Sequence, residues 1–218
     1  MTARPIIFSA PMVLALLAGR KTQTRRVLKP QPLDGDFTPP CTIYPQITTK
    51  AGDEIPGKPF YGISPWDGFW SIRLPAAPGD QLWVKEQHTT CNHGSKAVPD
   101  IRAMYGLDYV GFSKADGRDW NWTSPRFMPR WASRLTLTVT DVRVEQLQAI
   151  SEADAVTEGA EPIHNKPGGD EGDPSDGWIS YRDGFERLWN SINGPDAWAA
   201  NPWVVALTFT VEQRNIDQ

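Results

Sequence analysis

The stretch from Gly19 to Arg26 concentrates side chains that could do chemistry. Within eight residues it carries one amine, two hydroxyl groups and three guanidinium groups, which belong to Lys21, to Thr22 and Thr24, and to Arg20, Arg25 and Arg26. Burying an unpaired cation is costly, so cations without anionic partners stay in water or face an anionic or polar ligand. The stretch therefore predicts a ligand-binding site, and the carboxylate that catalysis would also need must come from elsewhere in the chain.

A short helix and a strand are expected to present this stretch. Ser9 can cap a helix that has Pro11 in its first turn and that Gly19 ends. The expected buried stripe of this helix consists of Met12, Val13, Leu16 and Leu17. The segment from Thr22 to Leu28 has the hydroxyl and β-branched character of a strand, and Pro30 stops it. The polar cluster then lies at a sharp turn between helix and strand.

The rest of the chain favours strands over helices. Alternation of apolar and polar residues predicts strands at 81–86, 104–112, 134–147 and 203–212. A Ser151-x-x-Asp154 capping signature begins a short helix that runs to Glu158, and a second helix is expected at 181–193. The Pro- and Gly-rich segment 30–78 predicts one or two short strands, the best at 70–74, and 161–176 reads as a surface loop. No βαβ alternation occurs, so we expect an α+β fold around a small, mostly antiparallel β-barrel with flanking helices and long loop insertions.

Composition limits the classes of function. The 218-residue chain has a formal net charge of −4, so its overall charge does not favour a nucleic-acid duplex, and any anion-binding surface must be local. The sequence has two cysteines and contains no secretory signal and no apolar run of membrane-spanning length. We expect a soluble, cytoplasmic protein with no membrane partner. The sequence does not set its oligomeric state.

Three further groups of residues are candidates for a site. Lys85 and Glu86 end a strand and could form an ion pair or line a pocket, and we favour pocket-lining with Glu86 as an alternative acid. An aromatic and basic segment suits stacking on a base and holding a phosphate. It contains Trp120, Trp122 and Trp131 among Arg118, Arg126 and Arg130. His88, Cys91 and His93 lie within six residues but match no compact zinc pattern, so we expect neither a metal nor a cofactor.

Four segments carry a resemblance to a known family. The run from Leu17 to Arg25, with Arg26 directly after it, contains Gly-Arg-Lys-Thr-x-Thr-x-Arg at the end of a helix, and residues 78–84 contain a Gly-Asp-x-Leu strand. Residues 142–159 contain a strand, a short helix and a trailing Glu, and residues 203–211 form a last strand. The chain resembles the ASCH domain family of the PUA-like superfamily, and most of all its longer members in phage and prophage genomes. The resemblance implies one domain over 1–218 with insertions at about 31–77, 89–126 and 162–177.

The resemblance also implies an activity. Well-understood members of the family are small amidohydrolases that deacylate N4-acetylcytidine with a Lys, a Thr and a Glu, and these fall on Lys21, Thr24 and Glu158. The implied substrate is a modified nucleoside or nucleobase. We assign substrate binding to the neighbouring polar residues and to one aromatic residue, which are Arg20, Thr22, Arg25, Arg26, Lys85, Glu86 and Trp131. The alternative is a non-catalytic module that binds RNA or a modified base, and a ribonuclease is a weaker third.

Two mechanisms fit these residue types. In one, Lys21 takes the proton of the Thr24 hydroxyl, and Thr24 then attacks the acyl carbon. A lysine can act as a base where burial or nearby arginines favour its neutral form. Glu158 protonates the leaving amine or activates water. In the other, Lys21 stabilises the oxyanion, Glu158 activates water and Thr24 only positions it. Residues 21 and 24 would point to opposite faces of an ideal strand. We therefore expect the turn at Gly19 to twist the chain so that both side chains converge.

Overall fold

A computed structural model describes residues 3–32, 37–65, 70–92, 101–105, 122–165 and 178–218. In these ranges the protein is an α+β protein with mostly antiparallel sheets and few helices, as the sequence predicted. None of the described helices is long and apolar enough to cross a membrane. The chain divides into two compact units. The first consists of Met1–Thr22, Gly79–Val139 and Phe209–Gln218, and the second of Gln23–Pro78 and Thr140–Thr208.

The largest sheet has five strands. They are β1 (Ala3–Ile7), β2 (Gln23–Val27), β8 (Gln81–Lys85), β11 (Thr136–Gln146) and β14 (Trp203–Glu212). Their order is β1-β8-β11-β14-β2. β1 pairs with β8 in parallel, whereas β8 pairs with β11 and β14 pairs with β2 in antiparallel register. The strands predicted at 22–28, 81–86, 134–147 and 203–212 are thus confirmed.

The remaining strands are short and form small sheets. They are β3 (Cys41–Ile43), β4 (Gln46–Thr48), β5 (Glu54–Pro56), β6 (Phe60–Ile63), β7 (Ile72–Arg73), β9 (His88–Asn92), β10 (Ile101–Tyr105), β12 (Ile163–Asn165) and β13 (Trp178–Ser180). The number of strands predicted within 30–78 was wrong, because β3 to β7 all lie there, but the strand expected at 70–74 is present as β7. Strands of two to four residues are too short to show alternation. The strand expected at 104–112 lies earlier, as β10, and residues 106–112 are outside the described ranges.

Helix α1 (Ala10–Leu17) confirms the first predicted helix and its end. Val13, Ala15 and Leu16 are its buried residues, while the expected Met12 and Leu17 are only half-buried. Ser9 is the N-cap residue, but its side chain makes no capping hydrogen bond. α1 is therefore held by one narrow apolar face rather than by its cap.

Helices α2 (Glu152–Thr157) and α3 (Tyr181–Asn193) form the core of the second unit. Their buried residues pack with neighbouring apolar residues in one cluster, which consists of Leu147, Ile150, Ala155, Ala160, Phe185, Trp189, Trp198 and Val204. Glu152 of α2 accepts hydrogen bonds from the backbone N–H groups of Tyr181 and Arg182. These groups lie in the first turn of α3 and have no acceptor within that helix. Ile192, in the last turn of α3, is 49% exposed.

Candidate functional site

The turn after α1 fixes the backbone of the catalytic candidate Lys21. Gly19 has a left-handed φ of +70°, its N–H donates to the carbonyl of Leu16, and the N–H of Arg20 donates to that of Ala15 at 2.9 Å. This pattern is a Schellman motif, in which glycine is favoured because a side chain would be strained. The N–H of Lys21 also donates to Ala15, at 3.1 Å. The sequence signal of a glycine at the helix end was therefore correct.

Lys21, which belongs to the first unit, is fully buried. Its exposed fraction is 0%, and its ammonium nitrogen lies 5.7 Å from the centroid of the Phe8 ring. Lys21 lies before the first residue of β2. Strand alternation therefore does not direct its side chain to the face opposite that of Thr24. Convergence of the two side chains stays a prediction.

Strand β2 carries three consecutive buried polar residues. Gln23, Thr24 and Arg25 are 4%, 2% and 4% exposed, whereas Arg20 and Arg26 at either side are exposed and Thr22 is half-buried. Strand alternation places Gln23 and Arg25 on one face and Thr24 on the other. Burial of three polar residues in a row requires hydrogen-bonding partners on both faces.

The guanidinium of Arg25 uses all five of its N–H donors on side chains of the second unit. Nε and Nη2 donate to Oε1 of Glu145 at 3.0 and 2.6 Å, and Nη2 also donates to Oδ2 of Asp154 at 3.1 Å. Nη1 donates to the side-chain oxygen of Gln23 and, at 3.2 Å, to Oε1 of Glu158. The sequence placed Arg25 among the substrate ligands. In the structure its guanidinium donates to three carboxylates, and its assignment to substrate binding stays a prediction.

Glu158 is a buried carboxylate at the end of α2. It is the C-cap residue, is 2% exposed, and is followed by Gly159, whose φ of +76° ends the helix. Ser151 caps the other end, accepting from the backbone N–H of Asp154 at 3.1 Å. Since Asp154 and Glu158 are four residues apart, they lie on the same face of the helix. Arg25 bridges both.

The ion pairs around Arg25 extend through Asp154 to Arg143. Burial alone would raise the pKa of Asp154, but the hydrogen bond from Arg143, the charges of Arg143 and Arg25, and the hydrogen bond from Gln23 outweigh burial and lower it. Nη2 of Arg143 lies 3.1 Å from Oδ1 of Asp154. The side chain of Arg143 is 42% exposed, whereas the side chain of Arg25, taken without its backbone, is 0% exposed. The network thus runs from a buried carboxylate to the surface.

Sequence reasoning missed most of this network. Asp154 was identified only as part of a helix cap, and Arg143 and Glu145 lay unassigned within the strand predicted at 134–147. A signal was present, because Asp141, Arg143 and Glu145 place three charges on one face of β11. Alternating charges on one strand face indicate ion pairs, but they do not identify the partner residues.

Glu86 pairs with Arg134 in the first unit rather than with Lys85. Nε and Nη2 of Arg134 each lie 2.9 Å from one oxygen of Glu86, which is 2% exposed. The guanidinium of Arg134 also lies over the ring of Tyr105, 4.0 Å from its centroid. Lys85 donates to the backbone carbonyl of Arg126. The assignment of Lys85 and Glu86 to substrate binding stays a prediction.

Removing Arg134 is expected to destabilise the protein strongly. Arg134→Met takes both guanidinium hydrogen bonds from the buried carboxylate of Glu86, and breaking such a pair costs about 3 kcal/mol or more. Arg214→Met is the matched control, because Arg214 and its partner Glu212 are both about 40% exposed and such pairs contribute at most about 1 kcal/mol. Urea denaturation at pH 7 measures both losses. Equal losses would mean that the Arg134 pair behaves as a surface pair.

His88 is buried with a ring nitrogen that makes no hydrogen bond. The residue is 3% exposed, and its Nδ1 has no partner. Burial lowers the pKa of the His88 imidazole, a hydrogen bond with the backbone of Glu86 opposes this, and the charge of Lys85 adds to the lowering. Burial therefore favours the neutral form of this histidine.

The lowered pKa of His88 predicts a pH dependence of stability. The unfolded chain binds a proton near pH 6.5 and the folded protein only at lower pH, so stability is present above that value and is lost as the pH falls toward the folded pKa. His88→Phe should reduce the slope of the unfolding free energy between about pH 7 and pH 5.5. Chemical denaturation at several pH values measures the slope, and an unchanged slope would contradict the assignment.

The aromatic and basic segment is partly described. Trp131 is 50% and Phe127 is 71% exposed, and Arg126 and Arg130 are exposed as well. Arg130 forms an ion pair with Asp217 at 2.6 Å. Trp122 is half-buried, and Arg118 and Trp120 lie outside the described residues. Trp131 therefore has the exposure that a stacking platform requires.

No metal site occurs among the residues that the structure describes. They contain no group of three or more His, Cys, Asp or Glu side chains suited to holding an ion. His93 of the His88, Cys91 and His93 cluster lies outside these ranges.

Comparisons of the chain with protein-family models, with curated proteins and with solved structures found no match.

Proposed function

We propose that the protein is a cofactor-free amidohydrolase that removes the acyl group from N4-acylated cytosine, cytidine or a related nucleoside. In this proposal it is a cytoplasmic member of the ASCH domain family with a closed PUA-like barrel. The reacting groups are Lys21, Thr24 and Glu158. The observation that carries the proposal is the buried carboxylate of Glu158, held by Arg25 at 3.2 Å on the short helix where the family resemblance expects it.

Burial of all three residues supports this assignment. Lys21, Thr24 and Glu158 are 0%, 2% and 2% exposed. Lysine and glutamate are among the residues least often fully buried, because removing their charges from water is costly. Ionisable groups in such surroundings are concentrated at functional sites. A solvated anion-binding surface would leave the same residues exposed, as Arg20 and Arg26 are.

The proposed mechanism is the one in which water is the nucleophile and Thr24 positions it. Arg25 donates to Oε1 of Glu158 at 3.2 Å and so holds the carboxylate that activates this water. Glu158 takes a proton from water, the water oxygen bonds to the acyl carbon, and Lys21 stabilises the oxyanion. The C–N bond then breaks as the proton passes to the exocyclic amine. The products are the free amine of cytosine and a carboxylic acid, which then releases its proton to the solvent as it becomes a carboxylate, so atoms and charges balance.

The rival function is a non-catalytic module that binds single-stranded RNA or a modified base. The exposed Trp131 and its neighbours Arg126 and Arg130 favour it, because aromatic side chains stack on bases while arginines hold phosphates. A ribonuclease is a weaker third candidate.

Ultraviolet absorbance separates these candidates. The purified protein is incubated with N4-acetylcytidine, with longer N4-acyl homologues and with single-stranded RNA. Conversion of an acylated cytidine to cytidine supports the proposal. Intact acylated substrates, together with RNA binding that weakens steeply with salt, would instead support the RNA-binding module. RNA cleavage would support the ribonuclease.

A further inference from the structure

We infer that Arg25 is a positioning residue, which holds the carboxylate of Glu158 in its reactive place without touching the substrate. This inference rests on the proposed function. The sequence alone grouped Arg25 with the substrate ligands. The contacts of its guanidinium indicate a different role.

The first argument is the complete use of the guanidinium. Its five N–H donors contact Gln23, Glu145, Asp154 and Glu158. A substrate phosphate or carbonyl could bind Arg25 only by displacing one of these oxygens. The bonds to ionised carboxylates are charge-assisted and are therefore stronger than bonds to neutral acceptors.

The second argument is the weakness of α2 on its own. The helix has six residues, and isolated helices of this length are not stable in water. Its end would fray unless tertiary contacts fixed it. Arg25 bonds Asp154 in the first turn and Glu158 at the C-cap, so one rigid planar group spans the helix face between them.

The third argument is the anchoring of Arg25 itself. Its strand is paired with β14, where Ala206 lies opposite Arg25. Nε and Nη2 both bond Glu145 of β11, which fixes the plane of the guanidinium. The position of Glu158 is therefore set by two sheet strands. Arg143 shares Asp154 and Glu145 with Arg25, but none of its described contacts reaches Glu158.

The expected kinetic effect is on kcat. Because Arg25 does not contact the substrate, Arg25→Gln should leave KM within about twofold of wild type. A displacement of a reacting group by about 1 Å can cost about 10²-fold in rate, so we expect kcat to fall by about 10- to 10²-fold. Arg25→Lys should not rescue the rate, because an ammonium group does not reproduce the planar fork. Arg143→Gln is the matched control and should keep kcat near wild type.

A double-mutant cycle distinguishes positioning from a general loss of folding. If Arg25 acts through Glu158, Arg25→Gln should add little to the loss already caused by Glu158→Gln. A role independent of Glu158 would make the two losses multiply. An unchanged kcat in folded Arg25→Gln, or multiplied losses, would overturn the inference. Should Arg25→Gln fail to fold, the Lys variant, which keeps the charge, is measured in the same cycle.

Hydrogen exchange tests the inference separately from the activity. The backbone amides of Ala155 to Glu158 should exchange at least tenfold faster in folded Arg25→Gln than in wild type and in Arg143→Gln. If the wild type hydrolyses no acylated cytosine, the proposed function fails, and this measurement still decides whether Arg25 fixes α2. Unchanged exchange of these amides would overturn the positioning role whatever the activity.

Discussion

Replacing Glu158 with glutamine is expected to lower kcat/KM for N4-acetylcytidine by about 10²- to 10⁴-fold, the range that a general acid or base contributes. Glutamine keeps the shape of the side chain and an oxygen that can accept from Arg25, but it cannot take a proton from water. Arg25 retains two other carboxylate partners, Glu145 and Asp154, so the variant is expected to fold. A spectrophotometric assay across a range of substrate concentrations measures the loss.

The control for Glu158→Gln is Glu161→Gln. Glu161 lies three residues further along the chain, and its side chain is exposed. The same chemical change there should leave kcat/KM within about twofold, as surface substitutions have small effects. Equal activity of the two variants, with both proteins folded, would remove Glu158 from the reaction.

Replacing Lys21 with methionine is expected to lower kcat by about 10²- to 10³-fold, the effect of losing one group that stabilises an oxyanion. Methionine nearly matches the length of the lysine side chain and suits the buried place beside Phe8. The side chain would therefore still fill its space while the amine is lost. Rates at saturating substrate, together with circular dichroism, measure activity and folding in the same preparation.

Lys50→Met is the control for Lys21→Met. Lys50 lies in the exposed turn between β4 and β5. Its replacement should leave kcat unchanged, since it removes an amine that no part of the mechanism uses. A folded Lys21→Met protein with wild-type kcat would contradict both versions of the mechanism.

Local signals allowed much of the framework around the candidate residues to be predicted. The Gly19 turn, the capping of α2 by Ser151, the end of α2 at Gly159 and strand β14 all depend on residues close together in sequence. Such signals act through backbone conformation and neighbouring hydrogen bonds. They place Glu158 at a helix end, but they do not indicate its burial.

The contacts that hold Glu158 could not be predicted in this way. Arg25 and Glu158 are 133 residues apart, and Arg25 and Glu145 are 120 apart. The sequence reports the charge of each residue but not which distant strand or helix comes beside it. The sequence therefore did not distinguish the cations of this run by their burial, whereas the fold buries Lys21 and Arg25 and leaves Arg20 and Arg26 exposed.

Hydrolysis in water enriched in ¹⁸O tests the central claim most directly. The wild-type protein is incubated with N4-acetylcytidine, and the products are identified by mass spectrometry. The proposed function predicts equal amounts of cytidine and acetate, with one ¹⁸O atom in each acetate formed. N4-acetylcytidine and its acyl homologues left intact by the folded protein would contradict the claim.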